Sequence, residues 1–262
     1  MGLKAEFLMK EENMKKYELT TESKEYYGRK LFRIKALISF GNVKKGELGG
    51  WIEEERNLSH FGNAWVGDNA QVYENARVWQ DAQVYDDAVV FGNAWVSDKA
   101  QVCGHAMVHD DTWVCGSALV CYSARVCNNA LVCGNAFVSN EAQVCGNARI
   151  CGKATICGYK DYIVIGPIGS RNAYTTFYRR EDDVTMVVCG CFHDTLAAFE
   201  KRVAEVHGNN QYGKDYMATI DYVRKVIDTN GGQKSKAIGG KMKHDKPCTT
   251  GEDINVPTNG GE

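Results

Sequence analysis

The chain has 262 residues, 44% of them hydrophobic, with 31 basic against 33 acidic side chains and a net charge of -2. That length suffices for one large core or a few smaller units, and the near-neutral balance argues against nucleic-acid binding through a broad basic surface, because phosphate contacts need clustered Lys and Arg. No run of about 18 apolar residues occurs, and "MGLKAEFLMKEENMKKYELT" lacks the apolar stretch and cleavage site of a signal peptide, so the sequence predicts a soluble, cytoplasmic protein that does not bind membranes. Met-Gly opens the chain, but Glu6 stands where myristoylation needs Ser or Thr.

Residues 1–58 read as short strands. Lys16 to Leu19, Leu31 to Leu37 and Trp51 to Glu53 are separated by the turn-rich stretches "YYGRK" and "VKKGELGG". From residue 59 to 158 a strict period takes over. Alanine recurs every sixth residue from Ala64 to Ala154, with Thr112 as the single substitute, and a Val or Ile follows two residues later, ending at Ile156. A period this regular means stacked units. Val two residues from Ala keeps both on one side of a strand, and "GN", "DN", "EN" and "NN" fill the gap with residues tolerant of positive φ.

Three such edges close a triangular coil. The pattern of "VGDNAQ", "VCGNAF" and "ICGKAT" resembles the hexapeptide-repeat, left-handed parallel β-helix family, over roughly residues 58 to 158. The resemblance implies about five turns of three hexads each, with Val and Ile inside, Ala at the corners and the residues flanking Val outside. The expected fold is thus mainly β: a β-helix, an N-terminal β cap and a small C-terminal α+β domain. The order "YELT", "RIKAL", "GELGGWIE", "NLSHFGNAWV" also resembles hexapeptide-repeat proteins of phages and prophages, which implies a bacterial host cell as the setting.

The cysteines pose the next question. Eleven are present, eight of them directly after a Val or Ile of the repeat, at 103, 115, 121, 127, 133, 145, 151 and 157. No CxxC occurs, so reduced thiols on the outer faces are expected rather than disulfides. Positions three hexads apart stack about 4.8 Å from each other, which puts Cys115, Cys133 and Cys151 in one column and Cys127 and Cys145 in another below His109. A flat sulfur column does not converge four ligands on a metal, so neither a metal nor another cofactor is expected. Many proteins of the resembled family are acyltransferases using coenzyme A and a histidine base; here the period is never interrupted by a loop, and His105 and His109 have no evident partner. One face instead carries Trp79, Trp95, Trp113, Leu131 and Cys133, too apolar for a solvated surface. It predicts an oligomer interface, most simply a parallel homotrimer, unless a terminal domain folds over it.

Residues 159–228 predict a small α+β domain. "DYIVIG", "YTTFYRR" and "VTMVVCG" read as strands, with "REDD" as a turn. Leu196, Phe199, Val203 and Val206 mark a helix behind Asp194 as N-cap, and Tyr216, Ile220, Val223 and Ile227 mark a second. Residues 229–262 are polar and predict a mobile tail. Within "GPIGSRNAYTTFYRR", Ser170, Arg171, Asn172, Thr175, Thr176 and Arg179 offer donors to an anion and Tyr174 a stacking face, although the loop lacks the Lys of a P-loop and the third Gly of a dinucleotide fingerprint. Cys189, Cys191 and His193 lack a fourth metal ligand in sequence. The leading expectation is a non-enzymatic, phage-type oligomer that captures a small anionic, nucleotide-like immune signal. An acyltransferase and a structural or host-protein-binding scaffold are the alternatives.

Overall fold

One residue in six, from Gly62 to Gly152, takes a left-handed backbone conformation, and that repeated bend builds the molecule. The computed structural model describes residues 15–227, so the stretch before Lys15 and the expected tail over 229–262 lie outside the described residues. The bend falls on seven glycines and nine other residues, among them Asp68, Glu74, Gln80, Asp86, Asp98, Asp110 and Asn128. These side chains are there for a reason beyond tolerance. Each accepts a hydrogen bond from the backbone N–H one coil later: Glu74 Oε2 from Gly92 at 2.9 Å, Gln80 Oε1 from Asp98 at 2.7 Å, Asp98 Oδ2 from Gly116 at 2.8 Å. Bonding to the next coil offsets the cost of a non-glycine residue at positive φ. At Gly92 the coils approach so closely that a Cβ would sit 2.7 Å from the Asp110 nitrogen.

Between the bends run two-residue strands, β4 (Trp65–Val66) through β19 (Thr155–Ile156). Each pairs in parallel with the strand three hexads on, as Trp95 with Trp113 and Val96 with Val114, and three flat sheets result. Val, Ile and Ala of every rung are buried in one continuous core. The product is a parallel β-solenoid of about six turns. The extra turn over the five expected from the hexads comes from the N-terminal strands. Trp51 pairs with Gln71 and Leu58 with Val78, each across a slightly longer interval than the regular coil uses. Ile52 and Leu58 therefore act as rungs ahead of a short insertion between Leu58 and Val66.

Ahead of those rungs, β1 (Tyr17–Tyr26) and β2 (Arg29–Ala36) form a hairpin through Tyr27 and Gly28, and β2 pairs antiparallel with β3 (Leu48–Ile52). The first strand is longer than the Lys16–Leu19 expected. It passes an irregularity in register between Leu19 and Ser23 and resumes pairing to Tyr26.

The polarity of the coil dictates how each end is closed. Backbone N–H groups donate forward, to carbonyls of the following coil, as Trp95 N to Thr112 O at 2.9 Å. The first coil therefore has carbonyls to satisfy and the last coil N–H groups. Donors close the start: Lys16 Nζ reaches Ala64 O at 2.8 Å and Gly62 O at 3.3 Å, and Asn57 Nδ2 reaches Ala76 O at 2.9 Å and Glu74 O at 3.0 Å. Acceptors close the finish: Thr176 Oγ1 takes Arg149 N at 3.1 Å, Tyr162 OH takes Cys145 N at 3.2 Å, and Asp161 Oδ2 takes Cys157 N and Gly158 N at 2.8 and 2.9 Å.

Those acceptors belong to the C-terminal domain. Its antiparallel sheet runs in order β20 (Tyr162–Ile168), β21 (Ala173–Arg179), β22 (Thr185–Cys189), β23 (Phe192–Thr195), and carries α1 (Leu196–His207) and α2 (Gln211–Ile227). Tyr178 and Val188 join the solenoid core, whereas Phe177 and Val187 pack with Leu196, Phe199, Val203, Tyr216 and Ile220. The sheet is thus a lid on the last coil, and the helices cover its outer face. Two sequence expectations need correction. Thr195, not Asp194, caps α1, its side chain accepting from Ala198 N, because residues 192–195 form a fourth strand that carries Asp194. Val206 is 53% exposed and off the buried face.

Candidate functional site

The tryptophans lie on the sheet that contains β9 (Trp95–Val96) and β12 (Trp113–Val114). In-register pairing stacks Trp95 on Trp113, with centroids 5.6 Å apart and 14° between planes, whereas Trp79, two residues past the register partner Arg77, leans across to stack on Trp95 at 6.0 Å and 25°. The Arg77 guanidinium lies over the Trp95 ring at 5.3 Å. Leu131 continues the strip one coil on, paired with Trp113 in the sheet, and Cys133 follows beside it. Trp113 is 54% and Trp79 39% exposed, so neither the N-terminal strands nor the C-terminal domain covers the strip among the described residues. Cys133 donates to Cys151 Sγ at 2.8 Å. That bond holds the Cys133 thiol well above its ordinary range and lowers that of Cys151.

The expected anion-binding residues are split by strand alternation. Gly169–Asn172 forms the tight turn between β20 and β21, closed by Asn172 N to Gly169 O at 3.1 Å, and Ser170, Arg171, Asn172 and Tyr174 are exposed there. Thr175 is fully buried on the helix side and donates to Cys189 Sγ at 3.2 Å. Thr176 is buried on the solenoid side as the Arg149 cap. Arg179, its side chain 14% exposed, is tied to the Ile227 carbonyl and lies 3.6 Å from Asp183. Thr175 and Arg179 thus face the packed side of β21, away from the turn. Residues not singled out in sequence complete the tip. A Cβ on Gly169 would collide with the Tyr216 hydroxyl, and one on Gly190 would lie 3.2 Å from Arg171 Nη1, so two glycines bring two hairpin tips and α2 together. Tyr216, whose OH is 3.7 Å from Cys189 Sγ, is pushed up to about 12, first by burial.

Among the described residues, His105 and His109 share no partner. His105 is 72% exposed in its side chain, with Nδ1 3.8 Å from Asp87 Oδ2. His109 stacks on Phe91, centroids 4.8 Å apart at 12°, with Nδ1 3.2 Å from Asp110 Oδ1. The repeat cysteines are expected on the outer faces, outside the core; Cys103 and Cys121 are nevertheless only 3% and 2% exposed. Cys103 takes hydrogen bonds from Cys121 and Tyr85 that lower its thiol despite burial.

A family model described as the YdcK beta solenoid repeat matches residues 82–98, 100–116 and 142–158. All three segments are rungs of the coil, and the match supports a repeat β-helix protein. No curated protein matches the chain. Among the described residues no helix is long and apolar enough to cross a membrane.

Proposed function

We propose that the chain is a non-enzymatic, oligomeric binding protein whose solenoid associates through its tryptophan face with further copies of itself, most simply as a parallel trimer. The observation that carries this reading is the stacked ladder Trp79–Trp95–Trp113, in which Trp79 and Trp113 are exposed. Stacking has already removed the rotamer freedom that association would otherwise cost, and aromatic residues dominate interface energetics. A second copy fits best. It presents the same flat ladder at the same rung spacing, about 4.8 Å, so a copy related by rotation can meet it rung for rung. Trp113→Glu tests it: the substitution should reduce the size of the particle in size-exclusion chromatography while leaving the β-rich circular dichroism intact. Equal elution of variant and wild type would remove this face from the account.

The ligand arm of the proposal rests on the tip of the C-terminal domain. Arg171, Ser170, Asn172 and Tyr174 are exposed around a turn wedged by Gly169 and Gly190 against Tyr216, a setting with one cation, polar donors and a stacking face suited to a small nucleotide-like anion. The resemblance to phage and prophage proteins makes a nucleotide immune signal of a bacterial host the ligand class, and counter-defence the role. Binding of cyclic dinucleotides measured by calorimetry, and its loss in Arg171→Ala without change of assembly, tests this arm separately.

A further inference from the structure

We infer that His109, Asp110 and Cys127 form a site for a thiophilic divalent transition-metal ion of the zinc class. The sequence suggested no metal because a column of thiols is flat. What the flat column lacked is a carboxylate reaching in from the bend, and Asp110 supplies it. One ligand atom from each residue lies within 4.8 Å of the other two. Tetrahedral coordination at about 2.0 Å for nitrogen and 2.3 Å for sulfur sets ligand atoms roughly 3.3–3.8 Å apart, so about 1 Å of side-chain adjustment closes the site.

Each ligand is already oriented. His109 is fixed by its stack on Phe91. Asp110 Oδ2 accepts from Asn128 N at 2.9 Å and Nδ2 at 3.2 Å, which leaves Oδ1 toward His109. These two bonds hold the Asp110 carboxyl group in place. Cys127 follows one coil below His109 in the same column. Binding breaks the Cys127 S–H bond, releases that proton to solvent and forms the metal–sulfur bond. Nitrogen, sulfur and a single carboxylate disfavour calcium and magnesium, which take oxygen ligands. The fourth position faces outward, since all three residues are only half-buried.

The test is titration of the reduced full-length protein with Co²⁺, a spectroscopic stand-in for zinc. The expected result is one equivalent per chain with a thiolate-to-cobalt charge-transfer band and tetrahedral visible bands, displaced by Zn²⁺. Both should vanish in Cys127→Ser and in His109→Phe, which keeps the stack on Phe91, and persist in Cys133→Ser. Absence of the charge-transfer band, its survival in either ligand variant, or its loss in Cys133→Ser would overturn the assignment. Circular dichroism and thermal melting of each variant keep folding and binding distinguishable.

Discussion

The indole of Trp113 lies 5.6 Å from that of Trp95, nearly parallel to it, yet more than half of Trp113 is open to solvent. A stack of this kind is stable within one chain but leaves the outer surface of each ring unburied, and the strip continues through Leu131. If copies associate here, the indoles move into an apolar environment. Tryptophan emission should therefore shift to the blue as protein concentration rises through the association range. Trp113→Phe should preserve assembly and Trp113→Glu abolish it; emission independent of concentration and of Trp113→Glu would argue against burial at this face.

Lys16 is 2% exposed, and burial lowers it to about 8 against an ordinary 10.5. Between those values the unfolded chain holds a proton that the folded chain has released, so the Lys16 contribution to stability rises with pH across this window. Lys16→Met leaves Ala64 O and Gly62 O without their donor and should cost about 1–3 kcal/mol. Relative to this variant, the wild type should gain stability from pH 8 to 10.5. Carbon-detected NMR of the Lys16 side chain gives the direct check, with a midpoint near pH 8 expected.

His60 stacks on Tyr17 with centroids 4.3 Å apart and accepts from Lys16 N at 3.2 Å through Nδ1. Burial holds its pKa below the ordinary 6.5. Neutral His60 therefore stabilises the fold above pH 6.5, and that contribution is lost as pH falls through the lowered folded value. Protonation of Nδ1 also removes the acceptor for Lys16 N. Protection of the Lys16 amide from hydrogen exchange, corrected for intrinsic rate, should fall on acidification; protection that is unchanged at pH 5 would dismiss the coupling.

Thr176→Val should strip the acceptor from Arg149 N in the last coil and cost about 1–3 kcal/mol, read by denaturant unfolding. Thr176→Ser, which keeps the hydroxyl, should lose much less. Similar losses from both would show that packing of the methyl group, not the capping bond, matters at this junction.

The solenoid was legible because one bend and one rung repeat: Ala at every sixth position and Val or Ile two later determine core, face and column at once. The same regularity places Trp95 next to Trp113. What the period could not supply lies at its ends. Lys16, Asn57 and Tyr162 close the coil through long-range bonds to backbone groups and Asp161 through local ones, and backbone partners leave no trace in side-chain spacing. Thr176 illustrates the cost. A hydroxyl beside a glycine-rich turn reads as a ligand donor, whereas strand alternation turns it toward the solenoid and its neighbour Thr175 toward the helices. The fourth strand carries little sequence signal because Phe192–Thr195 is short and polar at His193 and Asp194. The meeting of Asp110 with His109 and Cys127 needed the bend itself, which turns a carboxylate back over the column.

Native mass spectrometry of the wild-type protein tests the central claim most directly. For a chain of 29.1 kDa, the account predicts a particle of three times that mass which falls to the single-chain mass in Trp113→Glu. A wild-type protein that remains a single chain at concentrations where Trp113→Glu is also a single chain would contradict it.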